Sequence, residues 1–367
     1  MGEGFNEGLS AARRRGRGAA TNPTGRFEKF NTIRVEDDWN LDLDEGQPPL
    51  RTEVTVDASR SVLTRNRSPD VPFDRSVNPY RGCEHGCVYC FARPSHAQLG
   101  LSPGLDFETR LTVKPRAPAL LAEALSRRGY SVQPIAIGTN TDPYQPIERQ
   151  HRVMRGVLQV LERFAHPVTV TTKGAGVVDD TEILARLGRR GLATVTLSLT
   201  TLDPKLSRSL EPRAAAPGRR LAAIRTLARA GVPVGVNLAP VIPGLNDHEI
   251  EALASAAAEA GATAMKHTVL RLPLEVAALF RDWLERARPG EKDKIMGRVR
   301  DLHGGRDYDP AWGRRLKGQG VHAQLIARRV EAARRRCGLA ERLPVLRCDL
   351  FAVPAKPGDT AQLALDL

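Results

Sequence analysis

The sequence has no run of about 18 or more apolar residues, so no segment is predicted to cross a membrane as a helix. Its first residues are charged and lack the apolar core of a secretory signal, which predicts a cytoplasmic protein. Cysteine is scarce, with five residues in a chain of 367, and five is an odd number. In a reducing compartment clustered cysteines bind metal more often than they form disulfides, so no disulfide framework is expected.

Positive charge is in excess, with a formal net charge of +13. The surplus is uneven, because residues 281–347 contain 18 Lys or Arg against 9 Asp or Glu, a net of +9, whereas residues 36–45 are acidic. A strong positive charge favours a phosphate-bearing partner, and a nucleic acid is one candidate. The alternative is an Arg-rich composition with solvated helix faces.

The chain divides into four regions. Residues 1–50 are rich in Gly, Arg, Asn, Asp and Pro without periodicity, which predicts a largely disordered arm. Residues 51–275 form an alternating core, residues 276–354 an Arg-rich helical extension packed on that core, and residues 355–367 a flexible tail.

Short apolar strands alternate with amphipathic helices in the core. The predicted strands are 76–80, 134–140, 167–174, 194–201, 233–244 and 263–273. The predicted helices are 151–164, 182–191, 218–231 and 247–261, followed in the extension by 276–287, 293–302 and 321–338. Six strands with intervening helices predict parallel βα units and a complete or partial βα barrel.

Polar residues collect where the predicted strands end. Active sites of βα barrels form at the carboxyl ends of the strands, so these residues are candidates for the site. They are Asn78, Thr139 to Asp142, Lys173, Ser198 to Thr201 and Asn237.

The cysteines Cys83, Cys87 and Cys90 form a C-x3-C-x2-C pattern. Thiolates suit iron–sulfur clusters or zinc, and Gly82 and Gly86 allow a tight loop. Three ligands on a cubane leave one iron open, which points to chemistry rather than structure. The alternative is a structural zinc site, completed by His85, Cys337 or Cys348.

With an aromatic residue on either side of Cys90, Tyr89 and Phe91, this motif resembles the radical S-adenosylmethionine (SAM) superfamily. The resemblance implies a partial, TIM-like (β/α)6 barrel in which the three cysteines hold a 4Fe–4S cluster. The amine and carboxylate of SAM bind its fourth iron. Reductive cleavage of SAM then gives methionine and a 5′-deoxyadenosyl radical.

Further motifs resemble the group of spore-photoproduct-lyase-like proteins over roughly residues 50–350. They are NPYRGC, GTNTDPYQPIE, TKG, SLTTLD, LEPRAAAPGRRLAAI and APVIPGLND. The resemblance implies that Gly138, Thr139, Asn140 and Asp142 surround the methionyl amine of SAM.

The same resemblance assigns the remaining SAM contacts. Lys173 meets the carboxylate, and Ser198 and Thr200 meet the ribose. Tyr89 touches the adenine or the cluster. Of the other residues implied, Asn237 ends the fifth strand, Glu211 and Arg213 form a charged pair below SAM, and Val241 flanks the adenine with Ile242. The alternatives are a solvated turn lysine at position 173 and ordinary strand preference for the hydroxyl residues.

One departure from the lyase concerns its hydrogen-donating cysteine, because this sequence has Gly138-Thr139-Asn140 at that place and no cysteine between Cys90 and Cys337. Either Tyr144 is the donor or the reaction is different, and we favour a different reaction. Cys337 and Cys348 are expected to be structural or to have no role.

The resulting hypothesis is an enzyme that cleaves SAM, receives electrons from flavodoxin or ferredoxin, and abstracts hydrogen from an unknown substrate. The alternatives are a zinc- or cluster-bearing nucleic-acid-binding protein without radical chemistry, and a scaffold with a vestigial cluster. In the extension, Arg328, Arg335 and Arg336 share a helix face that is predicted to bind phosphates. The extension has few aromatics that could stack bases, and these arginines can equally cap carboxylates.

Overall fold

The computed structural model describes residues 10, 12–28 and 48–355. Its strands are β1 (Glu53–Val56), β2 (Leu63–Arg65), β3 (Arg75–Val77), β4 (Tyr80–Arg81), β5 (Arg110–Val113), β6 (Ile135–Ile137), β7 (Val168–Thr172), β8 (Ala193–Ser198), β9 (Val234–Val241) and β10 (Ala264–Val269). Its helices are α1 (Asp106–Thr109), α2 (Ala117–Leu125), α3 (Glu148–His151), α4 (Val153–Arg163), α5 (Thr181–Arg189), α6 (Pro204–Leu210), α7 (Pro217–Arg229), α8 (Ile250–Glu259), α9 (Glu275–Ala287), α10 (Lys292–Leu302) and α11 (Gly320–Arg336).

The main sheet has seven strands in the order β10-β9-β8-β7-β6-β3-β2. Six of them are parallel, and β2 pairs antiparallel with β3 at one edge. The predicted α/β fold with a mostly parallel sheet is therefore confirmed. Its edges are β2 and β10, so the sheet does not close on itself in the described part of the chain.

The two faces of the main sheet differ because side chains alternate along each strand. On one face, apolar residues such as Ile137, Val170 and Leu197 form the main core together with helix residues such as Leu158 and Ile224. The registers place hydroxyl, amide and amine side chains together on the other face: Thr169 and Thr171 of β7, Thr194, Thr196 and Ser198 of β8, Asn237 of β9 and Lys266 of β10. Helices thus cover the apolar face, and the polar face is left for a ligand.

A small second sheet supports the cysteine-bearing loop. Its order is β1-β5-β4, with β5 parallel to β1 and antiparallel to β4. The loop leaves β4 after Arg81, and the backbone N–H of Cys83 donates to the carbonyl of Phe107 at 2.8 Å. Since Phe107 belongs to α1, which leads directly into β5, the loop is attached to this sheet just beyond its own strand.

Within the arm that the sequence predicts to be largely disordered, residues 17–20 are buried against the rest of the protein. The carboxylate of Glu108 accepts hydrogen bonds of 2.9 Å from the backbone N–H groups of Gly18 and Ala19. A Cβ at Gly18 would lie 1.9 Å from the carbonyl oxygen of Gly86, so only glycine permits this approach. Two parts of the prediction lie outside the described residues. They are residues 1–9, 11 and 29–47 of the arm and residues 356–367 of the tail.

The helical extension packs on the main sheet through α11, whose Ile326 and Val330 join the main core. Before α11, the carbonyl of Leu316 accepts from the N–H of Val269 in β10 at 3.0 Å. The neighbouring Arg315 forms an ion pair with Asp70, shortly after β2. The extension therefore contacts both edges of the open sheet.

The helices of the described residues are also too short or too polar to cross a membrane.

Candidate active site at the carboxyl ends of the strands

The cysteine loop is tightly folded around two glycines with positive φ, +73° at Gly82 and +67° at Gly86. A Cβ at Gly82 would lie 2.5 Å from the Leu111 side chain, so the loop is close-packed there. Cys83 and Cys87 are buried and Cys90 is half-buried. The predicted ligand loop is therefore an ordered part of the protein.

The three thiols lie near one another. Burial raises the pKa of Cys83, and Asp142 and the other two thiols of the loop raise it further. Burial and Glu211 also raise the pKa of Cys87. Each thiol would release its proton to a bound metal, whose positive charge reverses these effects.

No fourth cysteine shares this environment in the described part of the chain. Cys337 ends α11 and packs against the main core, and Cys348 lies in the C-terminal segment. Among the described residues, no group of three His, Cys, Asp or Glu side chains has the spacing needed for a single metal ion. Iron–sulfur clusters accept soft thiolate ligands, so the donor set of Cys83, Cys87 and Cys90 fits a cluster.

Asp142 connects the cysteine loop to the strand ends. Its carboxylate lies 3.3 Å from Nδ1 of His85 and accepts from Thr172 Oγ1 at 2.6 Å, from Lys173 N at 2.7 Å and from Tyr144 N at 2.9 Å. Burial acts to raise the pKa of Asp142, but His85 and the other donors outweigh it and hold the pKa at about 2. The charged carboxylate thus holds three segments of the protein together. The sequence instead predicts a direct contact with the amine of SAM.

The turn after β6 requires its glycine. Gly138 has a φ of +86°, and a Cβ there would lie 2.0 Å from the carbonyl oxygen of Thr171. Asn78 holds the next part of the turn, because its Oδ1 accepts from the N–H of Asn140 at 3.1 Å and its amide lies 3.4 Å from Thr139 Oγ1. Residues 138–140 are therefore fixed between the end of β7 and Asn78, which precedes β4.

Glu211 is buried beneath Tyr89. One carboxylate oxygen accepts from the Tyr89 hydroxyl and from Thr200 Oγ1, and the other forms an ion pair with Arg220. Arg220 also donates to the carbonyl of Ser198 at 2.9 Å. Burial acts to raise the pKa of Glu211, but Arg220 and then Lys173 lower it, so the carboxylate is charged.

The predicted charged pair of Glu211 with Arg213 is not formed. The Arg213 guanidinium lies 3.4 Å from Glu84, and the Arg213 N–H donates to the carbonyl of His85 at 3.2 Å. Arg213 therefore supports the outside of the cysteine loop. Arg220 was missed as the partner, although it shares the apolar face of α7 with buried Ala and Ile residues, and a charge on such a face is a signal of a buried pair.

Lys173 points its ammonium group toward the site. Its Nζ lies 5.7 Å from the centroid of the Tyr89 ring, and its charge favours the ionised forms of Glu211 and Cys87. This position distinguishes Lys173 from a solvated turn residue. A positive charge beside the thiols is well placed for an anionic group of a ligand.

The polar face of the main sheet contains a buried acceptor without a donor. Oδ1 of Asn237 is buried and has no hydrogen-bond partner among the described residues. Ser198 and Lys266 are its neighbours in register on β8 and β10. Lys266 is accessible to solvent, yet desolvation by the surrounding protein lowers its pKa. Asn237 is therefore ready to accept from a hydroxyl or amine, and Lys266 is a site residue that the sequence analysis missed.

The segment after β9 is apolar and closed. Val241 and Ile242 are buried, and Ile242 packs in the same cluster as Cys87 and Tyr89. Asn246 braces this segment, because it accepts from the Ile242 N–H at 2.7 Å and donates to the carbonyl of Thr200 at 2.7 Å. Of the two predicted adenine-flanking residues, Ile242 therefore packs near Tyr89, whereas Val241 belongs to the main core.

Comparison with known proteins agrees with this arrangement. Residues 77–257 match the family model of the Radical SAM superfamily. The uncharacterised protein Rv2578c of Mycobacterium tuberculosis is 36% identical over 260 residues, covering 70% of this chain and 75% of the relative. The chain belongs to the radical SAM superfamily. An uncharacterised protein of Methanocaldococcus jannaschii is 24% identical over 173 residues, covering 47% of this chain and 62% of the relative.

Solved structures share the fold of this radical SAM protein. Spore photoproduct lyase complexed with dinucleoside spore photoproduct has a TM-score of 0.56 and 15% identity, covering 78% of this chain and 80% of that chain. A variant of spore photoproduct lyase with bound AdoMet and dinucleoside spore photoproduct has a TM-score of 0.54 and 16% identity, with the same coverage. At such identities the likeness concerns the fold alone.

Membership of the superfamily implies a 4Fe–4S cluster and SAM. The residues present fit both groups. The three neighbouring thiols suit a cluster, and the unpartnered Oδ1 of Asn237 and the ammonium of Lys173 suit the polar groups of SAM.

Proposed function

We propose that this protein is an enzyme that cleaves SAM reductively and uses the resulting 5′-deoxyadenosyl radical to abstract hydrogen from a substrate. The bound cluster would supply the electron for this cleavage. The observation that carries the proposal is the set of three neighbouring thiols, without a fourth cysteine nearby in the described chain, beside a polar sheet face with an unpartnered buried acceptor. A cluster with three protein ligands keeps one coordination position open, and the unpartnered acceptor provides a polar contact for a small molecule bound there.

Different residues of the chain would bind the cluster and SAM. Cys83, Cys87 and Cys90 would hold the cluster, and Lys173 would attract the carboxylate of SAM through a charge-assisted hydrogen bond. Asn237 would accept from one of its hydroxyl or amine groups, which satisfies an acceptor that is otherwise costly to bury.

A second group of residues positions these contacts without touching the ligand. Asp142 holds His85 and the end of β7, and Glu211 holds Tyr89 and Thr200. Because the Thr200 hydroxyl is already bonded to Glu211, we assign it to this supporting network instead of the ribose. Ser198 remains the candidate hydroxyl for the ribose.

We propose a reaction different from the repair performed by spore photoproduct lyase. The described chain has no cysteine from residue 91 to residue 336. Tyr144 is the alternative donor, but its hydroxyl donates to Asp180 at 2.9 Å and the side chain is buried. A tyrosine held in this way supports structure, so the hydrogen balance of the reaction must be achieved differently.

The electron donor is proposed to be flavodoxin or ferredoxin. Cys90 is half-buried and the adjacent Phe91 is 45% exposed, so this side of the cysteine loop reaches the surface. An external protein could therefore approach the metal site from here.

The direct test is anaerobic reconstitution with iron and sulfide, followed by dithionite and SAM. We expect formation of 5′-deoxyadenosine and methionine, with Cys87→Ala protein as the inactive control. Iron-loaded protein that leaves SAM intact would favour a vestigial cluster. Stoichiometric zinc without iron, after purification under strict anaerobiosis, would instead identify the zinc-bearing nucleic-acid-binding protein.

A further inference from the structure

An arginine-lined pocket lies on the outer side of the cysteine loop. Its volume is about 550 Å³, and it is enclosed by residues 14–18, by the segment around the end of α6 and by the end of α9. The side chains that line it include Arg14, Arg15, Arg17, Arg208, Trp283 and Arg286. Three distant parts of the sequence thus bring five guanidinium groups to one cavity.

Much of this positive charge lacks a carboxylate partner. Among the described residues, no carboxylate lies within ion-pair distance of Arg15 or Arg208. Arg17 donates to the carbonyls of Glu108 and Leu50 at 2.8 and 2.9 Å and to the hydroxyl of Thr52 at 3.0 Å. The charges of Glu108 and Glu84 act on Arg17 without forming an ion pair with it. Arg286 is paired, with Asp282 at 2.7 Å.

Two guanidinium groups of the pocket also contain buried N–H groups without an acceptor. Nε of Arg14 and Nε of Arg17 are buried and make no hydrogen bond among the described residues. Burial lowers the pKa of Arg14, the charge of Arg286 lowers it further, and the charge of Asp282 opposes both. No Asp or Glu is among the residues that line the pocket, and two of its N–H groups lack an acceptor. An anion would provide both the negative charge and the acceptors.

We propose that this pocket binds phosphate groups of a nucleotide or of a nucleic acid strand. Every cationic side chain in it is an arginine, and the planar guanidinium group binds phosphate oxygens through paired hydrogen bonds. A concave cavity of this volume fits a phosphate-bearing group of small-molecule size. An acidic protein would need a broader surface.

The predicted arginine face on α11 is a weaker candidate. Arg329 forms an ion pair with Glu251 at 2.6 Å, and Arg335 lies 3.4 Å from Glu331. Arg334 lies 3.8 Å from Glu341. Of the predicted face, only Arg335 is paired, and Arg328 and Arg336 have no carboxylate within ion-pair distance in the described part of the chain. All three are exposed side chains of one helix, whereas the pocket brings together guanidinium groups from three segments.

The pocket is connected to the cysteine loop. Gly18 lines the pocket and also packs against the carbonyl of Gly86, between Cys83 and Cys87. A bound phosphate would therefore anchor its carrier next to the metal site. The proposal does not depend on radical chemistry, so it stands or falls separately from the proposed function.

The test uses inorganic pyrophosphate in calorimetry and a fluorescent single-stranded DNA 12-mer in anisotropy, both at low salt. The Arg15→Gln/Arg208→Gln variant should bind either probe about ten- to a hundredfold more weakly, because two guanidinium contacts are lost. The matched control is Arg335→Gln/Arg336→Gln, which removes the same charge from α11 and should bind within about twofold of the wild type. Iron content and thermal melting check that each variant is folded.

The outcomes are distinct. Binding of both probes, with pyrophosphate displacing the DNA strand, supports a nucleic acid strand as the source of phosphate. Binding of pyrophosphate alone supports a nucleotide-like ligand. The proposal is overturned if neither probe binds, if the α11 control loses as much affinity as the pocket variant, or if the pocket binds only an acidic protein such as ferredoxin. Should the pocket variant fail to fold, the single variant Arg208→Gln, at an exposed position on α6, is compared with the single control Arg336→Gln in the same way.

Discussion

Nδ1 of His85 lies 3.3 Å from the carboxylate of Asp142, which joins the cysteine loop to the turn after β6. The same carboxylate accepts from the N–H of Lys173 after β7. Three segments that are far apart in the sequence therefore share one buried anion. This contact explains how a loop with three metal ligands is kept in register with the sheet that would receive SAM.

The first prediction concerns the metal ligands. Reconstituted protein should bind about four irons, and Cys83→Ala, Cys87→Ala or Cys90→Ala should each abolish this, because a cluster with two ligands is unstable. Iron and sulfide analysis, with the electron paramagnetic resonance signal before and after SAM is added, provides the measurement. Cys337→Ala and Cys348→Ala serve as controls that should retain full iron, and a loss of iron in either would show that the extension takes part in the site.

The second prediction concerns Lys173. Lys173→Ala should weaken SAM binding by roughly ten- to a hundredfold, because it removes a charge-assisted hydrogen bond worth about 1.5–3 kcal/mol. Equilibrium dialysis with labelled SAM on the iron-loaded protein measures this. Lys205→Ala, at an exposed position on α6, is the control for loss of charge. Equal affinity of the two variants would make Lys173 an ordinary surface residue.

The third prediction separates the observed partner of Glu211 from the one expected from sequence. Glu211→Gln should lower the free energy of unfolding by about 3–5 kcal/mol, because it leaves Arg220 buried without its counter-charge. Arg213→Gln should cost no more than about 1 kcal/mol, since its pair with Glu84 is partly exposed. Urea denaturation of both variants tests the difference. A larger effect at Arg213 would contradict the network described above.

The fourth prediction concerns the turn after β6. Gly138→Ala meets both an unfavourable φ of +86° and a contact of 2.0 Å with the Thr171 carbonyl. Gly129→Ala is a matched control, because Gly129 has a φ of +77° and open space around its Cβ position. The control should lower the free energy of unfolding by about 1 kcal/mol, because only the backbone conformation is unfavourable there. Gly138→Ala should lower the free energy of unfolding by more than the control does, and it should also weaken SAM binding. Equal melting temperatures of the two variants would contradict this explanation.

The fifth prediction is a pH dependence of stability. His166 is buried, with Nε2 2.9 Å from the Tyr130 hydroxyl and Nδ1 2.9 Å from the Pro167 carbonyl. Burial lowers the pKa of His166 from 6.5 to about 4. The unfolded chain therefore takes up the proton first, so the stabilisation is complete above about pH 6.5 and is lost as the pH falls toward 4.

His166→Phe isolates this effect, because a phenyl ring retains packing against Phe351 and cannot titrate. Between pH 7.5 and 4.5, wild-type protein should lose on the order of 2–3 kcal/mol more stability than the variant. Urea denaturation at the two pH values gives the comparison. Parallel losses in the two proteins would assign the pH dependence to other groups.

Several features of the protein are determined by local sequence alone. The spacing of Cys83, Cys87 and Cys90 places three thiols on one short loop, whatever the rest of the chain does. Apolar strands that alternate with amphipathic helices lead to a parallel sheet, because parallel strands need crossover connections. Polar residues at the strand ends then meet at one edge. These inferences hold because each depends on neighbours within a few residues.

Other features depend on contacts between distant segments. Residues 17–20 lack periodicity, and they are held in place by hydrogen bonds from the backbone of Gly18 and Ala19 to Glu108, about ninety positions away. Arg213 and Arg220 both follow Glu211 closely, and only the direction in which α7 packs decides that Arg220 is the buried partner. Which arginines remain free of carboxylates likewise depends on packing, since α11 lies beside Glu251 whereas Arg15 and Arg208 meet in a pocket. Charge and periodicity are properties of the sequence, but pairing and burial require the tertiary structure, because they depend on which surfaces the fold brings together.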